Sequence, residues 1–219
     1  SYTDYFGNYQ DLDMYDNIAT NDWQDLVYGR TGHTFNHNIN INGGTESIKY
    51  AFSYAHMNDK AIQIGSSFKR DNFSLKLNTK PTKNTTLDFQ ARYADTDIRG
   101  GGAQDATGVY DSDRRLRYAV IYTPFPLKNL DPSAGTDDDL GNLYNPIEAQ
   151  WDNDQKKERK NLNLAGAFGW EVYKDLKLRT EFGYDDYNNY DQRYWGLTTY
   201  YIKNVPAVDN QNMPAIRLT

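Results

Sequence analysis

The chain has 219 residues, enough for one large β domain or two small ones, and its 38% hydrophobic content and mean hydropathy of −0.89 are low for a compact buried core. Nineteen tyrosines among 15% aromatics argue against disorder, and a net charge of −6 with only short, acid-flanked basic groups disfavours nucleic acid. The absence of cysteine excludes disulfides, thiol nucleophiles and Cys-ligated zinc, and no apolar run is long enough for a transmembrane helix.

Residues 1–32 lack alternation, and Asn21-Asp22 is placed to cap a short helix over 23–28. From Phe35 onward one pattern repeats four times: alternating apolar and polar residues, then a break. Ile39 and Ile41 alternate with Asn38, Asn40 and Asn42. Ile48, Tyr50, Phe52 and Tyr54 alternate with Lys49, Ala51, Ser53 and Ala55. Phe73, Leu75 and Leu77 alternate with Ser74, Lys76 and Asn78, and Leu87, Phe89 and Tyr93 with Asp88, Gln90 and Arg92. Period-two alternation places apolar side chains on one sheet face and polar ones on the other. Strands are expected over roughly 33–43, 46–57, 67–80 and 85–98.

A long span, 99–159, follows, with four of the seven prolines and the run Asp137-Asp138-Asp139. Within it 116–122 reads as a short strand or helix, and the basic groups at 114–117 and 156–160 read as solvated loop. Two more alternating strands come next: Leu162, Leu164, Phe168 and Trp170 on one phase, then Leu176, Leu178, Phe182 and Tyr184 across a tight turn at 173–175. Connections therefore run short, long, short, long, short. Long two-faced strands joined in that order are the signature of an outer-membrane β-barrel with short periplasmic turns and long extracellular loops. About six strands are too few to close a barrel, since the smallest have about eight, so a fragment is expected. A soluble all-β carbohydrate-binding module would also alternate, but with shorter strands packed on a second sheet.

In order and spacing, Asn21-Asp22-Trp23-Gln24-Asp25, Arg30-Thr31-Gly32, Asn36-His37-Asn38, Gly43-Gly44-Thr45-Glu46, Lys49-Tyr50, Phe68-Lys69-Arg70, Asn145-Pro146 and Leu176-Lys177-Leu178-Arg179 resemble the SusC/RagA-like TonB-dependent outer-membrane transporters of Bacteroidetes. The resemblance implies an all-β antiparallel segment of a larger barrel just after the plug. In that division 1–32 is the connector from plug to barrel and 33–98 the first four barrel strands. The span 99–159 is an extracellular loop, 160–195 two further strands, and 196–219 a loop or the start of the next strand. It further implies import of oligosaccharides or peptides without catalysis or cofactor. The partners would be a SusD-like surface lipoprotein as lid, TonB through a region absent here, the remaining barrel and plug, and outer-membrane lipid.

The polar phase assigns Lys49, Arg92, Glu171, Arg179 and Glu181 to the lumen. Glu171 and Glu181 could be imagined as a glycosidase pair, but a barrel lumen needs charged residues anyway. Tyr110, Tyr118, Tyr144, Trp151, Tyr190 and Trp195 fall in loop segments, where aromatics stack on sugars or peptides or pack loops against a lid. Asp137, Asp138 and Asp139 are hard oxygen ligands of the kind calcium takes, without EF-hand spacing, so a solvated acidic loop is the preferred reading. His37 falls on the apolar phase, suiting a partly buried or interfacial histidine rather than a metal ligand.

Overall fold

In the computed structural model the described residues are 20–100, 115–122, 124, 145–199, 202 and 213–219. Seven strands form one antiparallel sheet in which each pairs with its sequence neighbour. They are β1 (His33–Gly44), β2 (Ile48–Lys60), β3 (Ser67–Thr82), β4 (Thr85–Arg99), β5 (Asn153–Tyr173), β6 (Leu176–Trp195) and β7 (Ala215–Leu218). Three short helices accompany them: α1 (Trp23–Tyr28), α2 (Arg115–Ile121) and α3 (Pro146–Trp151). The Asp22 side chain caps α1 by accepting from the Asp25 amide at 2.9 Å, and Asn145 caps α3 with Pro146 in its first turn.

The register converts the sequence alternation into rows. Ile39, Tyr54, Phe73, Tyr93 and Leu162 lie in one row, Ile41, Phe52, Leu75, Ala91 and Leu164 in the next, and Tyr50, Leu77, Phe89, Gly166 and Phe182 in a third. Aromatic stacking runs along the first row, with Tyr54 and Phe73 ring centroids 4.7 Å apart and Phe73 and Tyr93 6.3 Å apart. This apolar face meets no second layer among the described residues. Phe182 is 57% exposed, and Ile39, Ile41, Phe73, Phe168 and Trp170 are exposed with it. A soluble sandwich would bury such a face, so the uncovered apolar surface argues against that alternative.

The apolar band has defined limits. On β5 it runs from Leu162 to Val172, ten steps or about 33 Å along the strand. At the barrel tilt of about 40° that is about 25 Å of height, the thickness of an outer-membrane apolar band. Beyond it the same phase turns polar in β1 to β5 at one row, His37, His56, Asp71, Asp95 and Lys160, and in β6 one row earlier, at Asp186.

The hairpin ends step away from the third row, from Gly43 to Gly44 in β1, from Leu77 to Thr82 in β3 and from Gly166 to Tyr173 in β5. Progressive stagger of this kind is the shear that a closing sheet requires. The turns carry their own chemistry. The Thr45 hydroxyl accepts from the Ser47 and Ile48 amides, the Thr82 and Thr85 hydroxyls meet at 2.8 Å, and Asp175 takes a left-handed φ of 68°.

Several expectations are corrected. The strands are longer than the alternation suggests, from 12 residues in β1 to 21 in β5. The sheet has seven strands rather than six, because Ala215–Leu218 pairs with Gln192–Trp195. β5 starts at Asn153, inside the span assigned to a loop. The basic run 156–160 is therefore strand, paired to Asp95, Asp97 and Arg99. Its charges hid it from an apolar pattern, since outside the band both faces of a strand can be polar.

Candidate functional site

Lys49, Arg92, Glu171, Arg179 and Glu181 all fall on the polar phase of the register. Clefts open on that face. One of about 490 Å³ spans β2 to β6, from Lys49 to Glu181, over a floor of Ala51, Ala165 and Ala167. A depression bridging five strands requires a concave surface, so the polar face is the inside of the curve. A second cleft of about 380 Å³ lies between Arg70 and Arg92, bordered by Asn72, Asn161, Asn163 and Asp185. A third links Asn40 and Asn42 to Ser74 and Lys76. Asparagine amides beside alanine and serine leave room for a ligand and offer it donors and acceptors.

Ion pairing on this face is local. Arg179 holds Glu181 at 2.6 Å and Asp88 at 3.8 Å, and Asp88 also accepts from the Asn78 amide. Glu181 is opposite Ala167, whereas Glu171 is opposite Lys177, four residues along β5 and about 13 Å away along the backbone. With Arg179 engaging one carboxylate and the other displaced, the two do not form the matched pair of a glycosidase. Above the band on the outer face Lys156 pairs with Glu158. Their hydrogen bond raises the pKa of the ammonium and lowers that of the carboxylate.

His37 and His56 are cross-strand neighbours at the upper edge of the apolar face, with ring centroids 6.4 Å apart. His56 Nδ1 and the Tyr54 hydroxyl each lie 2.7 Å from an Asp71 carboxylate oxygen. This polar–aromatic cluster sits where an apolar band meets a polar rim, the interfacial setting expected for His37.

The end of the sheet with the long connections carries a cluster that the alternation did not reveal. α1, α2 and α3, remote in sequence, pack together there with the β2–β3 connection. Val27 is 1% exposed, and its carbonyl accepts from the Ile64 amide at 3.0 Å. The Gln150 side chain donates to the Ile64 carbonyl at 2.9 Å and accepts from Gln63 at 2.8 Å. Arg30 donates to the carbonyls of Ala61, Gln63 and Ser66, at 2.8, 2.6 and 3.2 Å. Gly100, at φ 63°, passes so close to Gly65 and Ser66 that a Cβ there would meet backbone at 2.7 Å. The helix start Asp22-Trp23 was readable in the sequence, but its docking against residues 61–66 and 145–151 is long-range and left no local signal. Removing the Arg30 guanidinium by Arg30→Ala should cost about 2 kcal/mol of local stability. The check is faster proteolysis at 61–66, with the strands still protected.

The aromatics expected in loops divide, with Tyr190 and Trp195 on β6 and Trp151 ending α3. Trp151 is 58% exposed and Tyr190 is also exposed, whereas Tyr118, at 4%, packs near Ala149, and Trp195, at 5%, lies under the Arg193 and Arg217 guanidinium groups. Tyr118 and Trp195 are therefore packing residues rather than ligand-facing ones, because the helical cluster and the β6–β7 pairing enclose them. Tyr110, Tyr144, Asp137, Asp138 and Asp139 lie outside the described residues.

An uninterrupted antiparallel meander with an uncovered apolar outer face and a concave polar inner face defines a wall segment of a transmembrane β-barrel. No protein-family model matches the chain. Over 95 residues, 39% of this chain and 9% of the relative, it is 34% identical to the TonB-dependent receptor SusC of Bacteroides thetaiotaomicron. A solved structure of the RagAB peptide importer in its "closed-closed" state superposes with a TM-score of 0.56 at 15% identity, covering 91% of this chain and 23% of that one. The segment is thus SusC-like in sequence and RagAB-like in fold, and it spans about a tenth of the curated relative it matches.

Proposed function

We propose that this chain forms part of the barrel wall of a TonB-dependent nutrient importer in the outer membrane. Its apolar face meets lipid, its polar face lines the lumen, and its long-connection end lies outside the cell. The observation that carries the reading is the two-faced sheet, with an apolar band about 25 Å high backed by a concave polar surface. On this reading residues 20–32 belong to the extracellular cluster, since α1 is bonded to the β2–β3 connection.

The work of such a wall is binding and passage. Asparagine amides and charged groups on the inner face would exchange hydrogen bonds with an oligosaccharide or a peptide. The exposed Trp151 and Tyr190, with the helical cluster beneath Trp151, offer a surface for a SusD-like lipoprotein lid. Energy coupling through TonB would act through parts of the protein outside these residues.

Growth measures the claim. A strain whose gene lacks codons 33–195 should lose growth on an oligosaccharide or peptide mixture that the intact gene supports, and keep growth on monomers. Unchanged growth on every oligomer tested would refute the importer reading.

A further inference from the structure

The inner face carries charge that is not neutralised within the segment. Among the described residues, Lys49, Arg70, Lys76, Arg92 and Arg159 have no carboxylate within ion-pairing distance. Arg70 donates only to the Asn72 amide oxygen at 3.0 Å, and Arg92 lies against the Gln90 amide, whose oxygen accepts from it once the amide is turned over. Three carboxylates on this face lack a cation in turn: Asp59, which accepts from Thr34, Asp185, at the far border of the second cleft, and Glu171, opposite Lys177 at the turn end. With Lys177 included, six unpaired cations against three unpaired anions is a local excess of positive charge in a chain whose net charge is −6.

Their positions are ordered. Arg70 stands level with Arg159 through Thr96, Arg92 is opposite Ser74, Lys76 follows two residues on, and Lys49 is opposite Asn78. From Arg70 to the level of Lys49 is eight residues of β3, about 27 Å along the strand. The clefts join along the same line, since Ser74 borders two of them and Lys76 two. Their floor is small and uncharged, with Ala51, Ser53, Ser74 and Ala94, which leaves the cationic ends projecting over open space.

Resting on the importer reading, we infer that this ladder of cations guides a carboxylate-bearing oligomer along the wall, so that the substrates of the protein are acidic. Arginine and lysine lining is how pores favour anions, and guanidinium forks flanked by amides suit a carboxylate with neighbouring hydroxyl or amide groups. The carboxylate can come from a uronic-acid sugar or from an acidic peptide.

The test uses the full transporter in detergent and calorimetric binding of three probes: a galacturonic-acid oligomer, a glutamate-rich peptide and a neutral malto-oligomer. At least one acidic probe should bind, more weakly as salt rises, and Arg92→Gln or Lys76→Gln should each weaken it about five- to tenfold. Arg92→Lys should retain much of that affinity. Tighter binding of the sugar acid or of the peptide identifies the source of the carboxylate. Acidic probes that bind no better than the neutral one, or that ignore both substitutions, overturn the ladder while leaving the importer reading intact. Substitutions that lower the thermal stability of the ligand-free transporter without selective loss of the acidic probe also overturn it, assigning these cations to a protein contact across the lumen. Failure of all three probes to bind, with no oligomer-dependent growth, sinks the importer reading as well.

Discussion

Phe89→Arg should destabilise the folded barrel by about 2–4 kcal/mol, whereas Gln90→Arg, one residue along, should cost close to nothing. Phe89 lies in the apolar row with Tyr50, Leu77, Gly166 and Phe182, within the band, while Gln90 borders the inner cleft of about 490 Å³. A guanidinium placed in hydrocarbon loses its hydration and finds no partner, and the same group on the polar wall stays in water. Reversible denaturant unfolding of the full transporter in lipid vesicles measures the difference. Equal costs at the two positions would remove the distinction between a lipid face and a lumen face.

The second large effect is expected at Val27, where an aspartate would be enclosed at the centre of the helical cluster. Val27→Asp should cost about 3 kcal/mol or more, through desolvation of the carboxylate, and Val27→Ala about 2 kcal/mol through lost packing. Because the cluster lies at the end of the sheet, the loss should be local. Hydrogen exchange should rise in 23–28, 61–66 and 146–151, and the β3–β4 ladder should remain protected. Uniform loss of protection would mean that the cluster and the wall unfold as one unit.

Legibility differed between these regions for a physical reason. Within the band, every second residue must be apolar and its neighbours can be polar, so Leu87 to Tyr93 and Leu162 to Trp170 announce their strands. Outside the band no solvent difference separates the faces. Asn153 to Arg159 is as regular as the rest, yet it reads as charged loop. The facing of Lys49, Arg92, Glu171, Arg179 and Glu181 followed from phase alone, because alternation needs no knowledge of the partner strand. The pairing of Arg179 with Asp88, the isolation of Arg70 and Arg92, and the burial of Tyr118 and Trp195 depend on register and on contacts between distant segments. Aromatic content could not separate Trp151, which is open, from Trp195, which is enclosed. β7 is four residues long and too short to show a period.

On the proposed function this sheet spans the outer membrane with its long-connection end outside. A chain without cysteine allows a clean test by labelling single thiols on intact cells. Ile62 is exposed in the β2–β3 connection, and Lys83 lies in the tight turn at the opposite end of β3. In the full transporter, Ile62→Cys should react with a membrane-impermeant maleimide on intact cells, and Lys83→Cys only after the outer membrane is permeabilised. Labelling of Lys83→Cys on intact cells with Ile62→Cys protected, or equal labelling of both in a soluble fraction, would contradict it.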